Sequence, residues 1–323
     1  MVGKITKNYL ISGSDIATLM NKNPYKSRND LMAEKLAERG VEGFTKSTFA
    51  GNQATEWGNR LEPLILVEAA KMLGIEKYET EITKVYKYQE DFIEVSLDGI
   101  FFNDKKRIYA SENIILENNE EYIDLEGNGC AEAKNTASPF TPTPPEHRGF
   151  LQGQTQCLCT KFKWFVVATL YQGNRLTLYI YKASEKIQND IISETVTFYN
   201  KLKGPDWFPA LDGPDAARTY ATGEPDLPEI NLESNREIVE EFVETKKAIK
   251  ALKDLESLLE AQIMDTMGNH TIAFLNHEKT NEKEVEISWP MRKTKATKEK
   301  IIPAKPEKNE RQKTLSIAQR WLK

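Results

Sequence analysis

Two short runs carry residue types that can act on a phosphate ester: Asp98-Gly99 and, farther along, Glu132-Ala133-Lys134. Hydrolysis of a phosphodiester gathers negative charge on oxygen in the transition state, so a divalent cation beside the scissile phosphate favours it. Mg²⁺ takes oxygen ligands, commonly one or two carboxylates with waters and substrate phosphate completing the shell. Alternation along a strand places Glu132 and Lys134 on one face and turns Ala133 away, with its backbone carbonyl free to bind metal. Lys134 is then placed to orient, or help deprotonate, an attacking water, and a neighbouring cation with partial burial is expected to lower its pKa. In a chain with 29% charged residues such a pattern also arises as a surface salt bridge. The flanks Val95-Ser96-Leu97 and Gly129-Cys130-Ala131 are apolar or small, as buried strands leading to an active edge should be.

The elements that must hold these residues follow from periodicity and punctuation. Ser12, Ser14 or Asp15 can cap a helix through Ile16, Leu19 and Met20, and a turn at Asn23-Pro24-Tyr25 precedes a helix through Leu31 and Lys35. Residues 57–73 read as a helix in which Pro63 implies the first turn or a kink. Strands are expected at Thr83–Tyr88, Phe92–Phe102, Cys130–Lys134, Trp164–Tyr171 and Leu176–Lys182, with Asp98 inside the second. The acidic stretch 103–128 reads as an insertion or long hairpin, and the four prolines of Pro139–Pro145 as an irregular loop. Helices from about Phe150 to Thr160 and through Ile191 and Phe198 complete a body at 1–203. A Pro/Gly/Asp-rich linker at 204–233 follows, then a unit at 234–290 with a long amphipathic helix at Arg236–Met267 and a strand pair, then a tail at 291–323.

Charge is divided unevenly. The whole chain carries −5, but the tail holds eleven Lys or Arg and three Glu, net +8, which leaves −13 on the rest. A basic end on an acidic body fits a tail that follows phosphates while carboxylates bind metal elsewhere, and composition fits a merely solvated tail equally well. Cys130, Cys157 and Cys159 cannot build a disulfide framework, and two cysteines separated by one residue without a second pair are not a zinc site. They are expected to be packing thiols in a reducing compartment. Apolar runs are too short to span a bilayer and the first thirty residues lack a secretory pattern, so a soluble intracellular protein is expected. There is no Walker A sequence to power unwinding.

Taken in order, these pieces resemble the lambda-type exonucleases and YqaJ-like viral recombinases of the PD-(D/E)xK nuclease superfamily. Ile11-Ser12-Gly13-Ser14-Asp15 with Asn23-Pro24-Tyr25 and Lys35 resembles the opening motif. Trp57-Gly58-Asn59-Arg60-Leu61-Glu62 resembles the second, and Leu97-Asp98-Gly99 with Ala131-Glu132-Ala133-Lys134 the two halves of the signature. Gln152-Gly153-Gln154, with Thr160 and Trp164, resembles the helix carrying the site glutamine; the matches run from about residue 7 to 182. The resemblance implies an α/β restriction-endonuclease-like core, a mixed central sheet flanked by helices, with a helical C-terminal extension. It also implies that Asp98, Glu132, the Ala133 carbonyl and Glu62 bind Mg²⁺ or Mn²⁺, two ions per site. Lys134 would orient water and Gln152 would bond the nucleophile or a phosphate oxygen. Ser14 and Lys7 would hold a 5′-phosphate, Lys7 as a point charge where the family has a forked arginine.

The activity so implied is digestion of one strand of double-stranded DNA from an end, 5′→3′, by a ring-shaped trimer or tetramer in the cytoplasm of a phage- or prophage-bearing bacterium. The implied partner is a RecT- or Beta-like single-strand annealing protein. The gap from Asp98 to Glu132 is longer than in the lambda enzyme, and no carboxylate upstream of Asp98 matches cleanly, Asp91 and Glu94 being weak candidates. A structure- or sequence-specific endonuclease on the same core, and a non-catalytic DNA-binding protein, are the alternatives. Gln152, Gln154 and Gln156 occupy alternate positions on a helix and cannot all face one site, so a single functional glutamine is expected; His147 is a candidate phosphate contact.

Overall fold

The computed structural model describes residues 6–46, 51–204, 206–220, 229–276 and 283–288. The basic tail at 291–323 and the stretch 221–228 of the expected linker lie outside the described residues. The chain divides into two units, 1–219 and 220–323.

The first unit enters through β1 (Ile11–Ser12), a 3-10 turn at Gly13–Asp15 and the short helix α1 (Ile16–Leu19). Ser27 caps α2 (Arg28–Glu38): its Oγ accepts from the Asp30 N–H while Asp30 Oδ2 accepts from the Ser27 N–H. Asn52 caps α3 (Gln53–Met72), which starts earlier than periodicity predicts and carries Pro63 in its interior. Next come β2 (Lys77–Thr80), β3 (Tyr86–Lys87), β4 (Ile93–Val95) and β5 (Gly99–Phe102). The expected single strand Phe92–Phe102 is thus two. It breaks at Ser96-Leu97-Asp98, so Asp98 sits in the bend before β5 rather than on a strand.

Residues 103–128 form an antiparallel hairpin of β6 (Lys105–Tyr109) and β8 (Tyr122–Glu126), with β7 (Ile114–Leu116) between them in sequence. The chain continues through β9 (Gly129–Thr136), the proline loop, α4 (Phe150–Thr160), β10 (Trp164–Tyr171), β11 (Arg175–Lys182) and α5 (Glu185–Lys203). The main sheet is mixed, in the order β2-β5-β9-β10-β11-β7, and β1, β4 and β3 form a second, smaller sheet. Only β9–β10 and β11–β7 are parallel in the main sheet. β9 lies third in that order, inside the sheet and not at the edge expected for the chemistry-bearing strand.

Helices cover both faces. Trp164, Val166 and Ala168 of β10 meet Ile65, Leu66, Ala69 and Ala70 of α3, while Phe165 and Val167 meet Leu151, Cys157 and Leu158 of α4. Burial on both sides accounts for the unbroken apolar run of β10. α4 approaches so closely that a Cβ on Gly153 would stand 2.1 Å from Phe165 Cδ2, a contact that glycine alone avoids. Cys130, Cys157 and Cys159 are free and buried, as expected of packing thiols.

After α5 the chain does not leave the body at 204. Asn29 Oδ1 accepts from the Phe208 N–H at 2.9 Å, and Asp215, on α6 (Gly213–Thr219), accepts from Ser27 Oγ at 2.5 Å. These residues are buried, so this part of the expected linker is packed against α2. In the second unit α7 (Arg236–Met267) has the predicted bounds, and β12 (Ile272–Asn276) pairs antiparallel with β13 (Lys283–Ser288). Its apolar stripe at Ile238, Ile249, Leu252 and Leu259 is exposed. Among the described residues no helix is long and apolar enough to cross a membrane.

The opening motif works mainly as architecture. Lys35, buried in α2, donates to the carbonyls of Asn8 and Leu10 and to Asp15 Oδ2 at 3.0, 2.6 and 2.7 Å. Burial alone would raise the Asp15 pKa, but the Lys35 ammonium and the Ser12 hydrogen bonds bring it below the ordinary 3.8. Its stabilisation is therefore complete above that value and is lost as pH falls through the lower native pKa. Asp15→Asn is expected to cost about 3–5 kcal/mol in urea unfolding at neutral pH, because it strands a buried ammonium. Wild-type stability below pH 3.8 should also fall more steeply than the variant's.

Candidate active site at the start of β5

Glu132 and Lys134 lie on the face of β9 that looks toward α4, in step with Cys130 and Thr136. Glu132 is 2% exposed and neither of its oxygens is idle. Lys134 Nζ donates to Oε1 at 2.5 Å, and Gln156 Nε2 donates to Oε2 at 2.6 Å. Lys134 also donates to Gln152 Oε1 at 3.2 Å, which leaves one of its three ammonium protons directed elsewhere. Gln152 and Gln156 are four apart on α4 and share its inner face. Gln154 points away, bonding the carbonyl of Lys182 and the N–H of Ser184. Two glutamines rather than one therefore meet the acidic strand, and the i,i+4 spacing was the signal that would have found Gln156.

Asp98 arrives from the bend before β5. The last β5–β9 pair is Gly99 with Ala131, and beyond it the Ala133 N–H donates to Asp98 Oδ2 at 2.9 Å. A strand residue's N–H and C=O leave on the same side, so the Ala133 carbonyl also faces the gap where β5 has not begun. Glu62 reaches the group from α3, half-buried. Burial, then the charges of Glu132 and Glu62, push the Asp98 carboxyl well above its ordinary range. Glu62 is raised by burial and by Glu132. Burial draws Lys134 down, but Glu132, Asp98 and Glu62 outweigh it and hold the ammonium above its ordinary 10.5. The sequence reading expected a neighbouring cation and partial burial to lower it; with the three carboxylates alone around the ammonium, the direction is upward.

Glu81 was missed. Thr80 pairs with Gly99, so Glu81 follows opposite Asp98 at the end of the β2–β5 ladder, and its charge raises Glu62. The weak candidates Asp91 and Glu94 serve another purpose: Lys7 Nζ meets Asp91 at 2.7 Å, and the Lys7 N–H meets Glu94 at 3.0 Å. Ser14 is exposed, its Oγ 3.1 Å from that of Ser12, on the turn whose Gly13 lies against Gln152. The structure places Ser14 on a turn that packs against α4 and ties Lys7 into a separate salt-bridge cluster.

The donors fit a hard cation. Carboxylates and a carbonyl converge at a point where burial, and then the charges of Glu132 and Glu62, hold the Asp98 carboxyl up, and Gln156 Oε1 is buried without a hydrogen-bond partner. Among the described residues no three or more acidic, His or Cys side chains close into a metal cage. An open set of one or two carboxylates, completed by waters and phosphate, is the arrangement Mg²⁺ uses.

Comparison with solved structures finds an alkaline exonuclease, LHK-Exo, from Laribacter hongkongensis, at 18% identity and TM-score 0.44, covering 62% of this chain and 90% of that one. The same enzyme in complex with dAMP is 19% identical, with TM-score 0.45 over 62% and 90%. A phage-related exonuclease from Haemophilus somnus 129PT is 14% identical, with TM-score 0.39 over 60% and 95%. A comparison with curated proteins finds no match. The model of the YqaJ-like viral recombinase domain, however, matches residues 5–262, and on that match the chain belongs to the YqaJ-like viral recombinase family.

Proposed function

We propose that this chain is a metal-dependent DNA exonuclease that degrades one strand of duplex DNA from an end, 5′→3′, in phage-type single-strand-annealing recombination. The observation that carries the reading is the meeting of Asp98, Glu62 and Glu132 with Lys134, Gln152 and Gln156 at the start of β5. Family membership supports it.

Asp98, Glu132 and the Ala133 carbonyl would hold Mg²⁺ or Mn²⁺, with Glu62 binding directly or through water. The bound cation supplies Lewis-acid stabilisation of the charge that gathers on the phosphate oxygens. Lys134, protonated and anchored by Glu132 and Gln152, directs its remaining N–H at the water or a phosphate oxygen and fixes its approach. Gln152 offers an amide that both donates and accepts beside the same point. Gln156 acts through Glu132, fixing the carboxylate that the other groups depend on. Ser14, on the turn that packs against α4, would hold the end of the digested strand. A ring of subunits and a single-strand annealing partner complete the reading, in the cytoplasm of a bacterial host.

The test compares linear with covalently closed duplex DNA, in Mg²⁺ and in EDTA. Metal-dependent loss of the linear form alone is expected, reduced at least about a hundredfold by Glu132→Ala or Lys134→Ala. Cutting of the closed circle would instead establish an endonuclease, and binding without cutting would establish a non-catalytic protein. Gln156→Leu should lower activity or metal affinity by roughly 10–100-fold, while Gln154→Leu, at a buried position whose partners are the Lys182 carbonyl and the Ser184 N–H, should leave both nearly unchanged in the folded protein. Equal effects of the two glutamine substitutions, read by rates and by calorimetric metal titration, would remove Gln156 from the site.

A further inference from the structure

Beside Lys134 the proline loop encloses a cavity of about 240 Å³, lined among others by Tyr25, Thr136, Ser138, His147 and Arg148. The reaction as described uses none of these five. Arg148 is half-buried, and its guanidinium is aimed by two neutral groups: Nη1 donates to Thr136 Oγ1 at 2.8 Å and Nη2 to Ser138 Oγ at 3.3 Å. Thr136 lies on β9 two residues past Lys134, on the same face. No carboxylate among the described residues pairs with Arg148. The adjacent Glu146 is held by Lys22 at 3.3 Å and does not line the cavity.

A guanidinium without a counter-charge, with N–H groups to spare, is an anion receptor. Two more features fit an anion. His147 Nε2 is buried with no hydrogen-bond partner, and burial, followed by the Arg148 charge, keeps the ring's pKa below its ordinary value. Gly149, at φ +109°, lets the loop lie against β9, where its Cβ would stand 3.6 Å from Lys134 Cε. The loop is also fixed from below, since Tyr179 Oη donates to the Thr141 carbonyl at 2.5 Å and bonds Tyr171 Oη at 2.8 Å. Tyr25, 79% exposed and edge-on to His147, offers a face at the mouth on which a base can stack.

We propose that Arg148, oriented by Thr136 and Ser138, binds a phosphate group of the DNA strand next to the scissile one, with Tyr25 against the neighbouring base. The proposal rests on the nuclease reading above. Phosphate at this position is either an internal phosphodiester or the strand's terminal monoester, and the two share this chemistry.

The experiment measures binding rather than cutting. A fluorescent duplex end is titrated with wild-type protein, Arg148→Ala, Arg148→Gln and Arg148→Lys across a series of KCl concentrations in EDTA, using 5′-phosphorylated and 5′-hydroxyl ends. Loss of one phosphate contact should make the slope of log K against log[KCl] shallower by about 0.7–0.9 for Ala and Gln, and Lys should restore it. A change with both ends identifies an internal phosphodiester; a change with the phosphorylated end alone identifies the terminal group. The Gln variant keeps the test open if Ala fails to fold. Slopes equal to wild type would overturn the subsite while leaving the nuclease reading intact. A wild-type protein that binds no DNA either in EDTA or with Ca²⁺ in its place would overturn both.

Discussion

Everything at the site depends on one carboxylate, Glu132, held inside a sheet where it is 2% exposed. A carboxylate buried there without partners would cost several kcal/mol. The ammonium of Lys134 on one oxygen and the amide of Gln156 on the other meet that cost. The rest of the layout follows. α4 must lie close enough to deliver both glutamines, so Gly153 presses on Phe165. β5 must start late enough to leave Asp98 beside the Ala133 amide. The arrangement remains over-supplied with negative charge, because one ammonium faces Glu132, Asp98 and Glu62 together. That imbalance is the ground on which a divalent ion is proposed here.

Much of this was legible in the sequence. Alternation on β9 correctly put Glu132 and Lys134 on one face, and the bounds of α4, β10 and α7 came from apolar spacing and turn residues. Both faces of β10 are covered, so it reads as one continuous apolar run, which is why a strand was identifiable without alternation. What was not legible depends on pairing across the sheet. Glu81 is exposed and belongs to no recognisable motif, and nothing local shows that an antiparallel ladder ends with it opposite Asp98. The break at Ser96-Leu97-Asp98 was hidden because Leu97 is as buried as the strands on either side.

Lys35 and Asp15 show the opposite difficulty. Charged residues beside chemistry-bearing motifs invite a chemical reading, yet this pair closes the fold beneath the entrance turn, and Lys35 satisfies two backbone carbonyls on the way. The same limit applies to Lys7, whose partners Asp91 and Glu94 lie more than eighty residues downstream. Residue type gives the capacity for chemistry; the long-range partner decides whether that capacity is spent on architecture.

The insertion at 103–128 has a consequence for how the protein behaves in company. Its middle strand, β7, lies alongside β11 through Leu178–Ile180. Without it, an eight-residue strand rich in apolar side chains would present open N–H and C=O groups along the outer margin of the main sheet. Such a margin is a template on which a strand from another chain can add. The extra length between the two halves of the acidic motif therefore acts as a selvedge: it finishes the fabric so that it does not knit onto a neighbour. A shorter, hairpin-like version of this protein would have to protect that margin by another means, such as a lysine, a proline or a bulge on β11.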